Sequence, residues 1–344
     1  MSEIKPPTCP ECTESEAPHL GRTRRDFMRA VGGGTAAVLA GPLIADGLTP
    51  VLTAAQNQPA VQPARPAKPA EALCRELYTG LTADQRRQLV LPWNHPNRTR
   101  TFNAAMNARI GQAYTPAQQE LLQRIMRAIS SGEDGYTRLS RNGGWDTGGG
   151  FNGCGANFFG EVANERQWAW VFSGHHLTVR CDGDSALDTA FGGPMYYGHS
   201  PDGHSQRNVF NFQTRSVQLV YESLNEAQRR RAIMTNPGSS IQFRRDNFPG
   251  VASGDLSADQ RRLVEQVMRD LLAPYRREDA DEVMALIRRN GGIERLHLGF
   301  YRDQNAADAT RWNYWKVEGP GFVWNYRVLD HVHCFVNIAL QPRA

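Results

Sequence analysis

Apolar residues return at helical spacing after several short polar phrases, and that pattern predicts amphipathic helices. Leu121, Ile125 and Ile129 form one such set, and Leu263, Val267 and Leu271 form another. The phrases share a form. Leu81 to Arg87, Leu224 to Arg230 and Leu256 to Arg262 each read Leu, three residues, Gln-Arg-Arg, and Thr115-Pro116-Ala117-Gln118 is a looser fourth. Thr82, Thr115, Asn225 and Ser257 are placed as helix N-caps, with Gln85, Gln118, Gln228 and Gln260 three residues on closing a capping box and the preceding Leu acting as a staple. Their irregular spacing argues against a solenoid, so these helices are read as scaffold.

Elsewhere the pattern is that of strands. Trp168 to Arg180 and Tyr314 to Val328 are aromatic and β-branched, and both read as sheet. The Gly-rich stretch 142–160, the segment 182–204 and the Gly319-Pro320-Gly321 turn are expected to connect strands at the rim of that sheet. The predicted class is α+β, a mostly antiparallel sheet with capped amphipathic helices packed around it.

The N-terminal region has a different character. Thr23-Arg24-Arg25-Asp26-Phe27-Met28-Arg29 precedes a run from Ala30 to Leu48 rich in Ala, Gly, Val and Leu, followed by small residues at Thr53, Ala54 and Ala55. This is the form of a twin-arginine signal, an address read by a translocation machinery that exports proteins already folded. Gly32, Gly33, Gly34, Gly41 and Pro42 interrupt the run, which favours a removable signal over a permanent membrane span. The expected location is therefore periplasmic or otherwise extracytoplasmic. Pro59, Pro63, Pro66 and Pro69 mark a linker. The chain thus divides into a signal at 1–55, a linker at 56–70 and one domain at 71–344.

Charge adds little. The net value is only +4, and the arginines are interleaved with acidic residues, as at Arg269-Asp270, so they read as solvated helix faces and not as a nucleic-acid surface. Cys9 and Cys12 form a CxxC ahead of the twin arginine, half of what a structural zinc needs. Cys74, Cys154, Cys181 and Cys334 belong to the domain, where an oxidising compartment permits up to two disulfides in any of three pairings.

Histidine carries the candidate chemistry. His175-His176 lies within the first strand-like segment, His331-Val332-His333 within the last, and His297 just before another apolar run. Residues two apart on a strand face the same way, so His331 and His333 can present imidazoles together and one of His175 and His176 can join them. His176, in phase with Thr178 and Arg180, is slightly preferred. Three imidazoles suit a zinc or copper ion with an open position. The competing reading is of polar residues satisfied within a sheet. The Asp182-Gly183-Asp184 stretch with Asp188 lacks calcium-loop spacing and reads as a turn, and His199 and His204 read as surface residues of a loop. Glu161 and Glu165 are acid or base candidates that nothing in their spacing singles out. Nucleophile-elbow, P-loop and dinucleotide motifs are absent.

Taken together, Trp168-Ala169-Trp170, Gly174-His175-His176-Leu177, the Gln-Arg helix starts, Tyr314 to Pro320 and the closing His331-Val332-His333 resemble the bacterial domain of unknown function 3500 family, over roughly Leu77 to Ile338. The resemblance implies a twin-arginine-exported protein and treats the two His motifs as a set, with no settled activity. The flanks of the closing pair depart from the family pattern: Val328-Leu329-Asp330 stands where an Asn is expected, and Phe335-Val336-Asn337 where an Arg-Asp is expected. Asp330 is a candidate partner for a ligand histidine.

The leading expectation is an exported metalloprotein, performing metal-assisted hydrolysis or copper-type oxidation on a small-molecule or polymer substrate that the sequence does not name. The alternative is a metal-free carbohydrate- or peptide-binding protein whose Trp168, Trp170, Trp312, Trp315 and Trp324 line an aromatic groove.

Overall fold

All four capping boxes form, and they are bonded in pairs. The computed structural model describes residues 69–162, 167–235, 241–302 and 312–340. In it Thr82, Thr115, Asn225 and Ser257 each accept from the backbone of the Gln three residues on, and each Gln returns the bond. The Gln amides then bond one another: Gln85 Nε2 donates to Gln118 Oε1 at 2.7 Å, and Gln228 Nε2 donates to Gln260 Oε1 at 3.1 Å. A phrase that looked irregularly spaced is two matched pairs. The twin-arginine stretch, Cys9, Cys12, Glu165 and residues 56–68 of the expected linker lie outside the described residues. Among the described residues, helical structure begins at Pro69.

The described helices are α1 (Pro69–Thr79), α2 (Ala83–Leu89), α3 (Ile110–Ala113), α4 (Pro116–Ile129), α5 (Gly132–Ser140), α6 (Asn211–Ser223), α7 (Glu226–Ala232), α8 (Ala258–Leu272) and α9 (Arg277–Arg289). None is long and apolar enough to cross a membrane. In chain order the strands are β1 (Val90–Leu91), β2 (Gly155–Gly160), β3 (Trp168–Gly174), β4 (Leu177–Cys181), β5 (Met195–His199), β6 (Ile233–Met234), β7 (Val251–Ala252), β8 (His297–Tyr301), β9 (Tyr314–Gly319), β10 (Phe322–Arg327) and β11 (Val332–Ile338). They form one eleven-stranded sheet in the order β1-β2-β3-β4-β5-β11-β10-β9-β8-β6, with β7 paired to β8. All pairings are antiparallel except β1 with β2 and β6 with β8. The class is α+β.

That order is a structural repeat, with the same strand order and sense in its two halves. Val90, Phe158, Trp170 and Cys181 lie side by side across β1 to β4, and Ile233, Phe300, Trp315 and Tyr326 lie side by side across β6, β8, β9 and β10. Arg141-Asn142-Gly143-Gly144 follows α5, and Arg289-Asn290-Gly291-Gly292 recurs at the end of α9. The halves meet where β5 pairs with β11, His199 opposite Val332 and His333 opposite Gly198.

Strand alternation builds two layers on the sheet. Trp168, Trp170 and Phe172 of β3 join the helices in the main core, while Ala169 and Val171 face the other way with Phe159, under Leu91, Trp93, Phe102 and Met106. The expectation of an aromatic groove is overturned here. Trp168, Trp170, Trp312, Trp315 and Trp324 are all fully buried: four are large apolar surfaces on covered strands, and Trp312, just before β9, packs against Phe300. Two segments read as rim connections contain strands instead: β2 lies within 142–160 and β5, at the centre of the sheet, within 182–204. Gly and Pro concentrate in both segments, which masks short strands from a period-based reading.

Replacing Gln228 with alanine removes a capping-box bond and the reciprocal amide contact to Gln260. A loss of about 1–2 kcal/mol is expected, read as a lower urea midpoint at constant slope. An unchanged midpoint would mean that the amide pair contributes nothing.

Candidate metal centre

Gly174 pairs with Leu177, so His175 and His176 are the two residues of a tight turn between β3 and β4, and not members of a strand as their surroundings suggested. The same turn in the second half is Gly319-Pro320-Gly321-Phe322, in which Gly319 pairs with Phe322. Gly321 has φ +64° and His176 has φ +54°. A left-handed residue costs glycine nothing and costs histidine a steric penalty at its Cβ. One repeat therefore keeps the glycine and the other holds a histidine in its place, a local strain of the kind found at functional sites.

The turn delivers His176 to the seam between the halves, where β11 begins. His331 Nε2 lies 2.9 Å from His176 Nε2 and 2.8 Å from His333 Nε2. Ligand atoms of all three residues lie within 4.8 Å of one another. Each Nε2 has in its ring plane either one lone pair or one hydrogen. His331 Nε2 can therefore satisfy one of its two neighbours but never both, and three such atoms directed at one point leave at least one contact uncompensated. A cation that accepts all three lone pairs removes the conflict. Tetrahedral ligation at 2.0–2.1 Å separates ligand nitrogens by about 3.3 Å, so the two contacts of His331 would each open by roughly half an ångström.

Carboxylates hold the far nitrogens of two of these rings. Asp330 Oδ1 lies 3.0 Å from His331 Nδ1, and Asp146 Oδ2 lies 3.3 Å from His176 Nδ1. A proton on each Nδ1 donates outward and leaves the Nε2 lone pair pointing inward, the arrangement that orients metal-bound imidazoles. Asp146 also receives His199 Nδ1 at 3.0 Å and faces Arg141 Nε at 3.5 Å. The buried Arg141 guanidinium donates to Gly198 O at 3.0 Å and to the carbonyl of His176, tying the turn to β5. Tyr196, stacked on Phe335 at 4.4 Å, stands edge-on to His333 at 5.6 Å and forms an aromatic wall.

A family model described as a protein of unknown function (DUF3500) matches residues 64–338, a span that contains every group just described. The chain belongs to the DUF3500 family. No curated protein and no solved structure matches it.

Of the predicted site residues, His176, His331 and His333 converge and Asp330 backs one of them. His175 does not join: its Nδ1 lies 3.1 Å from the Asn103 carbonyl, although its ring packs against His176 at 3.9 Å. His297 is the first residue of β8, on the far side of β9 and β10 from β11, packed against Phe248. Strand order keeps it out of the centre. His199, read as a loop residue, ends β5 and shares Asp146 with His176. Asp146, Arg141 and His199 were missed as site residues, and the one signal available was a pair of opposite charges in an otherwise uncharged Gly-rich stretch.

Burial pushes the His176 imidazole down to about 4, against the opposing pull of Asp146. His333 is pushed well down by burial and by the other two rings, and His331 is lowered by burial despite Asp330. Burial works against ionised Asp146, but the bonds from His176 and His199 and the charge of Arg141 hold its carboxyl well below the ordinary range. All three ligand rings are thus neutral near pH 7, as metal binding requires.

Two outcomes follow from this geometry. His176→Gly removes a ligand while placing the favoured residue at positive φ. The metal-free variant is expected to unfold at or above the temperature of the metal-free parent yet to bind zinc at least tenfold more weakly by calorimetry; unchanged affinity would remove His176 from the centre. The depressed imidazole pKa values also give a sign for stability. The unfolded histidines titrate near 6.5, so their contribution is complete above that pH and is lost as the pH falls from about 6.5 to about 4. The melting temperature of the metal-free protein should fall between pH 7.5 and pH 5, and by less once His176, His331 and His333 are all replaced with Gln.

Proposed function

We propose that the protein is an exported metalloenzyme whose zinc ion is held by His176, His331 and His333 and whose reaction is metal-assisted hydrolysis. The convergence of three Nε2 atoms that cannot satisfy one another carries the reading. Three further features support it. The ligand rings are neutral and are backed by carboxylates, which suits zinc. The described residues contribute three metal-ligating side chains to the group and no fourth, which matches the open coordination of catalytic sites and not the closed shell of structural ones. The donors are imidazoles without thiolate, so a blue-copper ligand set does not apply.

Bound there, zinc supplies Lewis acidity and activates water. The chain's own part is to fix geometry and protonation. Asp146 and Asp330 keep the ligand tautomers, and Arg141 locks the turn that carries His176. Tyr196 and Phe335 line one side of the centre. The twin arginine at Arg24 and Arg25 supports export of the folded, metal-loaded protein by the twin-arginine machinery to a periplasmic or other extracytoplasmic location.

Elemental analysis of protein purified from its native compartment should find close to one zinc per chain, falling below a tenth in His331→Ala. Copper at that stoichiometry would keep the centre and replace hydrolysis with oxidation; no metal in either protein would end the proposal. Replacing Arg24 and Arg25 together with lysine should retain the protein inside the cell, measured by fractionation, and undiminished export would remove the twin-arginine assignment.

A further inference from the structure

The domain's four cysteines are not equivalent. Cys334 lies within hydrogen-bonding reach of Tyr197 and Trp324, and Cys154 within reach of Thr147, both in the interior. Cys74, on α1, is fully buried one helical turn from Ala70, which lines a cavity together with Cys181 at the end of β4, so the two thiols are neighbours and interact. Both belong to one packed cluster, in which Cys181 lies at the margin of the core. Helix α1 and strand β4, far apart in sequence, thus bring two free thiols close to each other.

Access is asymmetric as well. Cys181 is partly exposed and lines a surface cavity together with Ala70, Glu71, Asp182 and Arg276, whereas Cys74 lies behind it and does not line that cavity. A small disulfide entering from solvent meets Cys181 first, with Cys74 next to the resulting adduct.

We propose that Cys74 and Cys181 are an oxidation site that closes to a disulfide in an oxidising compartment, stapling α1 to β4. The oxidant is another disulfide of low molecular weight or on a protein. Cys181 thiolate attacks one sulfur of the oxidant and expels the other as a thiolate, giving a mixed disulfide. Cys74, after losing its proton, attacks Cys181 Sγ and expels the second thiolate. One external disulfide is reduced to two thiols, two chain thiols are oxidised to one disulfide, and the protons of Cys74 and Cys181 pass to the leaving thiolates. The oxidised cross-link closes a loop of roughly a hundred residues, a length at which such links stabilise strongly. The proposal is independent of the metal reading, since it involves two side chains remote from the histidine centre; its oxidising compartment rests on the export proposed above.

The full chain, reduced and then incubated with glutathione disulfide at mildly alkaline pH, is alkylated after denaturation and mapped by mass spectrometry. The expected result is a linked pair of peptides containing Cys74 and Cys181, with Cys154 and Cys334 alkylated and a melting temperature higher on the order of 5–10 °C than that of the reduced chain. In Cys74→Ser, Cys181 should be trapped carrying glutathione. Should that variant fail to fold, the map of the unmodified sequence decides alone. Recovery of Cys74 alkylated, of Cys181 as a stable glutathione adduct in the parent chain, or of a link to Cys154 or Cys334 would overturn the proposal.

Discussion

An sp² ring nitrogen has one direction in its plane in which to bond, and three of them aimed at one point form an arrangement that needs a partner from outside the chain. His176, His331 and His333 are in that condition, in a region where water has been largely excluded. Their surroundings consistently favour it. Burial keeps the rings neutral, the carboxylates of Asp146 and Asp330 direct the lone pairs inward, and Arg141 fixes the backbone from which His176 projects. His176, His331, His333 and Arg141 would each be a costly burial without a common purpose.

The structural repeat explains why the centre lies where it does. Two helix-capped units of five strands each, β1 to β5 and β6 with β8 to β11, pair edge to edge through β5 and β11, and that pairing makes a seam to which each unit brings different residues. The first contributes the turn at His175 and His176 together with Arg141, Asp146 and His199. The second contributes the start of β11. The equivalent turn in the second unit is Gly319-Pro320-Gly321, which has no imidazole to offer. A symmetric scaffold thus carries an asymmetric site, with stability supplied by what the halves share, above all the bonded Gln pairs and the buried Trp170 and Trp315.

Local patterns in the sequence were legible because their physics is local. A Thr, Asn or Ser followed three residues later by Gln closes its own box whatever surrounds it, and all four cases formed. The paired histidines and Asp330 were also visible as candidates. His176, and not His175, groups with His331 and His333, and strand alternation is not the cause: a turn that puts His176 at positive φ directs it there. What the sequence concealed depends on long-range contacts. Asp146 and His199 acquire meaning only when β5 lies against β11, and His297 loses it because β9 and β10 intervene. The tryptophans, at least half of which already read as sheet core, are all buried in the interior.

Anomalous diffraction at the zinc edge from crystals of the metal-loaded protein tests the central claim most directly. The account predicts a single strong peak about 2.0–2.1 Å from the Nε2 atoms of His176, His331 and His333, with no fourth side chain among the ligands. A peak elsewhere, or three rings that remain in mutual contact with no ion between them after loading, would contradict it.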